Sequence, residues 1–124
     1  MAKYGVIDLG TNTFHLLIVK EENGNLKELV RERVFVKLAE EGIQNIGPAP
    51  YQRAVSCMER FHQILVENEV KSVQAIGTAA LRRAQNSSKF IAEIKAKTGI
   101  EVSVISGDRE AELIHKGVGL VVPM

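Results

Sequence analysis

The pattern of apolar and polar residues changes along the chain. Two apolar runs flank a small polar centre at residues 8–13, and the next segment alternates, with Val30, Val34 and Val36 separated by charged residues. A period of two is typical of a strand with one buried face. Asn23-Gly24, between the second and third segments, suits a type I′ turn. The first 38 residues therefore predict a three-stranded antiparallel meander.

Helical spacing replaces this alternation in the rest of the chain. Apolar residues recur at helical spacing after Pro50, which fits the first turn of a helix. Apolar runs at 70–77 and 102–105 predict two further strands. A helix from Asn86, as N-cap, to Thr98 separates them, with Gly99 as its stop, and a last helix spans 107–121. Strands separated by helices predict parallel pairing, hence one mixed five-stranded α/β sheet.

The predicted topology brings three polar residues to one edge of the sheet. Asp8, Thr78 and Ser106 fall at the carboxyl ends of strands that we expect to run parallel. Ligands of α/β sheets bind at this edge. We expect the interior to include the following apolar residues: Val6, Ile7, Leu17, Val34, Val55, Phe61, Ile76, Ile91, Val104 and Ile114.

The turn at residues 8–13 is the strongest candidate for chemistry at that edge. Gly10 lets the chain bend without a side chain in the way, so that backbone N–H groups and hydroxyls can approach a phosphate. A phosphate would repel Asp8, whose expected role is to hold a divalent cation through water. The alternative is a plain β-hairpin in which the Asp and Asn side chains serve turn geometry.

Composition restricts the classes of partner. The chain has 124 residues, 45% hydrophobic and 25% charged, as expected for one globular domain. Its formal net charge of +1 gives no overall basic field, so we expect neither nucleic acid nor a membrane as partner. The single cysteine, Cys57, excludes an internal disulfide, and the first residues lack the apolar run of a signal peptide. We therefore expect a cytoplasmic protein.

The segment Asp-Leu-Gly-Thr-Asn-Thr-Phe-His-Leu-Leu-Ile, which begins at Asp8, resembles the first phosphate motif of the exopolyphosphatase/guanosine pentaphosphate phosphohydrolase (Ppx/GppA) family. That family belongs to the ribonuclease H-like group of actin-like ATPases and sugar kinases. The resemblance implies phosphate contacts from Gly10, Thr11, Asn12 and Thr13, and a Mg²⁺ ion placed by Asp8.

Residues 77–86, Gly-Thr-Ala-Ala-Leu-Arg-Arg-Ala-Gln-Asn, are similar to a second family element, Gly-Thr-x-x-Leu-Arg-x-Ala-x-Asn. The matching arginine is Arg82, and the resemblance implies that it faces the bound phosphate chain. A guanidinium offers a planar fork of donors to phosphate oxygens. Alternatively, Arg82 and Arg83 are both solvated charges on a short helix, the role that we expect for Arg83.

Residues 105–118 are similar to the third family element, Ile-Ser-Gly-x-Glu-Glu-Ala-x-Leu-Ile-x-x-Gly-Val. The second glutamate of that pair, implied to be the base that activates water, is Glu110. Arg109 replaces the first glutamate, and its positive charge could lower the pKa of the base. The alternative for Glu110 is an acid in the first turn of a helix, favoured by the helix dipole.

The family's second phosphate turn, Asp-x-Gly-Gly-Gly-Ser, would follow the last helix. We therefore expect residues 1–124 to be the first half of the N-terminal lobe of a larger phosphatase, a homodimer, without its second phosphate motif and C-terminal lobe. The implied activity is Mg²⁺-dependent hydrolysis of terminal phosphoanhydride bonds in inorganic polyphosphate or guanosine pentaphosphate. Two alternatives stay open: a phosphotransferase or ATPase of the same fold group, and a non-catalytic sensor of guanosine polyphosphates. Residues 1–124 alone should fold in part but hydrolyse neither substrate.

Overall fold

A five-stranded mixed sheet forms the centre of the structure, a computed structural model that describes residues 2–42 and 44–105. Its strands are β1 (Lys3–Leu9), β2 (Thr13–Glu22), β3 (Asn25–Phe35), β4 (Ser72–Gly77) and β5 (Val102–Val104), in the order β3-β2-β1-β4-β5. The first three pair antiparallel, β4 pairs parallel with β1, and β5 pairs parallel with β4. The predicted topology is confirmed, except that the last predicted helix lies outside the described residues.

Local sequence signals explain most of the connections. Asn23 and Gly24, between β2 and β3, have φ angles of 52° and 79°, as a type I′ turn requires. Helix α1 (Pro48–Glu67) begins two residues before Pro50. Pro48 and Pro50 both lie in the first turn of α1, where a backbone N–H has no intrahelical acceptor, so the missing N–H of proline costs nothing there.

Two shorter helices, α2 (Ala79–Arg83) and α3 (Ser87–Thr98), connect β4 to β5. Gly99 ends α3 in the left-handed conformation with φ 77°, as predicted. Asn86 is the N-cap residue of α3, as predicted, although its side chain makes no capping hydrogen bond. The amide instead accepts a hydrogen bond from Ile46 N (2.9 Å) and donates one to Ile46 O (3.1 Å), so it holds the loop before α1.

One face of the sheet packs against α1 and α3. Ile7, Leu9, Leu16 and Ile18 from the central strands share a cluster with Phe61 of α1 and Phe90 of α3. Leu17 and Val19 form a separate small cluster. No helix among the described residues combines the length and the apolar character needed to cross a membrane.

The expected interior is largely observed. Five of the residues named for it are buried (Ile7, Leu17, Val55, Phe61 and Ile76), and three are half-buried (Val6, Val34 and Ile91). Val104 is 40% exposed, so its assignment to the core is wrong. It is the last residue of a three-residue strand at the edge of the sheet, where fewer elements can cover a side chain. Ile114 lies outside the described residues.

Candidate functional site

The turn between β1 and β2 is closed by a backbone hydrogen bond from Gly10 N to Thr13 O, at 3.1 Å. A Cβ atom on residue 10 would lie 2.9 Å from the Thr13 carbonyl oxygen, closer than a real Cβ contact allows. Glycine is therefore required here because the turn leaves no space for a side chain. This agrees with the reason for which the sequence singled out Gly10.

The segment after β3 fixes the orientation of the turn. Lys37 N donates to Asn12 O and Leu38 N donates to Thr11 O, each at 2.9 Å. These bonds use the two carbonyl groups at the tip of the turn. Within the described part of the chain, the backbone bonds of the turn leave the N–H groups of Thr11 and Asn12 without an acceptor. Adjacent N–H groups of this kind can bind an anion.

The end of β4 adds a second wall beside this turn. Thr78 approaches Leu9 O with both its backbone N and its hydroxyl Oγ1, each at 3.4 Å. Thr78 is 4% exposed, so its position is fixed by the surrounding structure. The parallel pairing of β1 and β4 thus brings the start of α2 next to the glycine turn, as expected for the carboxyl edge of an α/β sheet.

Between these two walls lies a pocket of about 320 Å³. It is lined by Asp8, Gly10, Thr11, Asn12, Thr13, His15, Thr78 and Ala79. The structure therefore brings together five of the predicted site residues, namely Asp8 and the four residues of the phosphate turn. A larger depression of about 500 Å³ is lined by residues that include Val70 and Lys71, just before β4. None of the predicted site residues lines it.

Asp8 supplies the carboxylate of this pocket and is 3% exposed. Within residues 2–42 and 44–105, no three or more His, Cys, Asp or Glu side chains are grouped so that they could hold a metal ion by themselves. Mg²⁺ does not need such a cage, because it keeps several waters and commonly takes one or two carboxylates together with substrate phosphates. A single buried carboxylate at the wall of a phosphate-sized pocket therefore fits Mg²⁺.

His15 also lines the pocket, although the sequence analysis gave it no role. It pairs with Asp8 across β1 and β2, and its buried Nδ1 has no hydrogen-bond partner among the described residues. Burial is the main cause that lowers the pKa of His15 below its ordinary value of 6.5, and the charges of Arg33 and Arg31 lower it further. The sequence contains a signal for this position. Residues two apart on a strand share a face, so His15 is expected on the same face of β2 as the predicted site residue Thr13.

Arg82 is exposed on α2 and does not line the pocket. Its guanidinium Nη1 donates a 2.6 Å hydrogen bond to Ile105 O, directly after β5. Arg83 is exposed, as expected. The phosphate contact of Arg82 stays a prediction. Glu110 lies outside the described residues, and its role as base also stays a prediction.

Comparison with known proteins assigns most of the chain to the family that its sequence motifs resemble. The sequence profile of the Ppx/GppA phosphatase family matches residues 17–122. A crystal structure of an exopolyphosphatase from Cytophaga hutchinsonii is 44% identical, with a TM-score of 0.91, and the match covers 98% of this chain and 40% of that one. The chain thus spans well under half the length of this relative.

Two more distant structures show the fold alone. The Aquifex aeolicus member of the Ppx/GppA family is 22% identical, with a TM-score of 0.83 over 88% of this chain and 36% of that one. The ethanolamine utilization protein EutJ from Carboxydothermus hydrogenoformans is 15% identical, with a TM-score of 0.55 over 94% of this chain and 41% of that one. The predicted ribonuclease H-like, actin-like α/β fold is confirmed.

Proposed function

Because the chain belongs to the Ppx/GppA phosphatase family, we propose that the protein hydrolyses the terminal phosphoanhydride bond of inorganic polyphosphate or guanosine pentaphosphate. The observation that carries this proposal is the pocket at the carboxyl edge of β1. There, Thr11, Asn12, Thr13 and Thr78 line a space of about 320 Å³ beside the buried carboxylate of Asp8.

The turn would bind the terminal phosphate. The Asn12 N–H is fixed before substrate arrives, because Leu38 N binds the Thr11 carbonyl of the same peptide unit, and Lys37 N binds the carbonyl of the next one. Donors that are already oriented cost no rearrangement when charge develops in the transition state. The turn would therefore contribute to turnover as well as to binding.

Asp8 would hold Mg²⁺, directly or through water. The ion, when bound, neutralises phosphate charge and polarises the phosphoryl group. Asp8 cannot bind phosphate oxygens itself, because two anions repel each other. Its burial limits the positions open to the carboxylate, so it would orient the water shell of the ion precisely.

Arg82 and Glu110 would complete the chemistry. Arg82 would bind phosphate oxygens along the chain of the substrate, because a guanidinium presents a planar fork of N–H donors to them. Glu110 would accept a proton from the attacking water and direct it at the terminal phosphorus. We further propose that the enzyme is a cytoplasmic homodimer whose ligands are inorganic polyphosphate or guanosine polyphosphates.

Phosphate release by the full-length protein tests the function. The assay compares inorganic polyphosphate with guanosine pentaphosphate, each with Mg²⁺ and with excess chelator. We expect release without any acceptor molecule, and loss of release with the chelator. Transfer of phosphate only to an added acceptor would favour a phosphotransferase, and tight binding without release would favour a sensor.

A further inference from the structure

The junction between α2 and α3 is bonded to the loop that precedes α1. Gln85 N donates to Gln44 O at 2.7 Å. The Asn86 amide binds both backbone groups of Ile46, accepting from the N–H at 2.9 Å and donating to the carbonyl at 3.1 Å. We call these two side-chain bonds the Asn86 clamp. One side chain thus pairs with a loop residue as an opposite residue does in a sheet ladder.

The clamped loop belongs to the segment that also holds the phosphate turn. Leu38, at the start of this segment, is buried, and its N–H donates to Thr11 O in the turn. Ile46, near the end of the segment, is 5% exposed and lies in the main core cluster. The segment is therefore attached to the phosphate turn at one end and to the residues after α2 at the other.

Helix α2 has too few residues to fix its own orientation. It has five residues, and isolated helices shorter than about 12 residues are marginal in water. Before it, the two Thr78 contacts to Leu9 O are 3.4 Å long, beyond the usual range of about 2.7–3.2 Å. After it, the Ser87 hydroxyl donates to Leu81 O at only 2.6 Å, beside the Asn86 clamp. Apart from its two buried side chains, α2 is held mainly through the residues that follow it.

Arg82, the predicted phosphate ligand, lies on this helix. Ala79, the first residue of α2, lines the pocket. Arg82 follows three residues later, about 4.5 Å further along the axis at about 1.5 Å per residue. A rotation or shift of α2 would therefore move Arg82 relative to the phosphate turn.

We propose that Asn86 is a positioning residue, which clamps the loop to the end of α2 and thereby fixes Arg82 relative to the phosphate turn. The inference rests on the proposed function, since it takes phosphate to bind at the turn and at Arg82. An amide suits this role because it carries an acceptor and donors on separate atoms, without charge. Without it, two backbone groups of the buried Ile46 lose their partners, and the loop must move to find others.

Kinetics of the full-length protein test this role. We expect Asn86→Ala to raise KM for phosphate release by about 10- to 100-fold, since misplacing a positioned group by about 1 Å can cost about 10²-fold. The value of kcat should change much less, because Arg82 would bind substrate and transition state alike. A purely structural defect would instead reduce the fraction of folded enzyme, and so lower kcat at constant KM. That result would overturn the proposal.

A double-mutant cycle shows whether Asn86 acts through Arg82. Fold-changes from independent sites multiply, whereas those that pass through a shared group do not. In the Arg82→Gln background we expect Asn86→Ala to cause no further rise in KM and no further loss of affinity for inorganic tripolyphosphate. Effects that multiply would overturn the proposal, because Asn86 would then act by another route.

Two further variants control for folding. Asn68→Ala removes a similar bond, from Asn68 Nδ2 to Ile64 O at 2.8 Å, beside Lys3 at the opposite edge of the sheet from the pocket. It should change neither KM nor tripolyphosphate affinity. Asn86→Ser loses the clamp but keeps a residue type favoured at an N-cap, so it should fold even where Asn86→Ala does not. A folded Asn86→Ser protein with the KM and affinity of the wild type would contradict the proposal.

Equilibrium binding of inorganic tripolyphosphate separates this inference from the proposed function. Phosphate release by the wild type, combined with multiplying effects in the cycle, leaves the hydrolase in place and removes the role of Asn86. Binding that depends on Asn86 only while Arg82 is present, without any release, supports the clamp and removes the hydrolase. Failure of the wild type both to bind and to release phosphate overturns both.

Discussion

At the scale of single residues, the pocket depends on groups whose size or charge is closely restricted. Gly10 is needed for its missing side chain, Asp8 for a buried carboxylate, and His15 is held in a setting that disfavours its protonated form. The sequence singled out Gly10 and Asp8 because they lie in a turn of small polar residues that directly follows an apolar strand. It could not predict the environment of His15, because burial, the main cause of its lowered pKa, and the two arginines of β3 that lower the pKa further both depend on how the strands pack.

Gly10→Ala should impair phosphate binding more than folding. The added Cβ would collide with the Thr13 carbonyl oxygen, so the turn must shift and the N–H groups of Thr11 and Asn12 would lose their orientation. We expect kcat/KM for phosphate release to fall by about 10²–10³-fold, the loss that follows from removing one oriented donor. Gly24→Ala, in an open turn far from the pocket, is the control and should keep normal kcat/KM. Equal activity of the two variants would contradict this account of the turn.

Glu110→Gln should lower kcat by about 10²–10⁴-fold while substrate still binds, since a general base contributes this much to turnover. Arg82→Gln is the contrasting variant and should raise KM, because its charge would stabilise the bound anion as well as the transition state. Steady-state kinetics of the full-length protein measure both effects. Unchanged turnover in the glutamine variant would return Glu110 to the alternative of a first-turn acid.

The lowered pKa of His15 predicts that the stability of the fold depends on pH. Its folded-state pKa lies below the ordinary 6.5, so between these two values only the unfolded chain binds the proton. Stability from this group is therefore complete above about pH 6.5 and decreases as the pH falls towards the folded pKa. The melting temperature should decrease between about pH 7.5 and about pH 5.5, and this decrease should be larger for the wild type than for His15→Gln. Parallel shifts of the two proteins would show that His15 is not held in its neutral form.

At the scale of elements, the packing of α1 and α3 against the sheet and against each other orders the region behind the pocket. Phe90 of α3 meets Tyr51 of α1 edge to face, with ring centroids 5.5 Å apart. The Tyr51 hydroxyl donates a 2.7 Å hydrogen bond to Glu93, and burial together with this carboxylate raises the pKa of Tyr51 to about 12. Apolar periodicity predicted both helices. It could not predict α2, which has only five residues, too few to show a period.

Phe90→Ala should lower the free energy of unfolding by about 3–5 kcal/mol, since it removes a fully buried ring from the core. Phe35→Ala, the same substitution at a 64% exposed site, should change stability by no more than about 0.5 kcal/mol. Denaturant unfolding of the two variants beside the wild type provides the comparison. Similar losses in both would mean that Phe35 supports the fold as much as the buried Phe90 does.

At the scale of the whole molecule, the strand order β3-β2-β1-β4-β5 explains why the site lies where it does. Strand β1 occupies the centre, so its carboxyl end is bordered by the turn into β2 on one side and by the end of β4 on the other. From the change between alternating and helix-separated apolar runs, the sequence predicted that β4 and β5 run parallel to β1 and share its carboxyl edge, but not the order of the strands. It could not predict that the Arg82 side chain bonds to Ile105, because side-chain direction on a short exposed helix depends on what lies within reach.

A polypeptide limited to residues 1–124 should hydrolyse neither substrate. It corresponds to 40% of the length of the Cytophaga hutchinsonii exopolyphosphatase. A phosphate held by one turn would lack opposing donors to balance its charge in the transition state. Phosphate release by this polypeptide should equal that of the same polypeptide carrying Glu110→Gln. Release above that level would show that one turn is sufficient.

The bonds from Lys37 and Leu38 to the phosphate turn have a consequence for measurement. These two amide groups lie just beyond the end of β3, where solvent would ordinarily replace their protons quickly, yet they are bound to Asn12 and Thr11. Their rates of exchange with deuterium therefore depend on how often the turn opens, and not on the opening of the sheet ladder. The molecule thus contains an isotopic reporter of the state of its binding turn, which can be observed without any substrate.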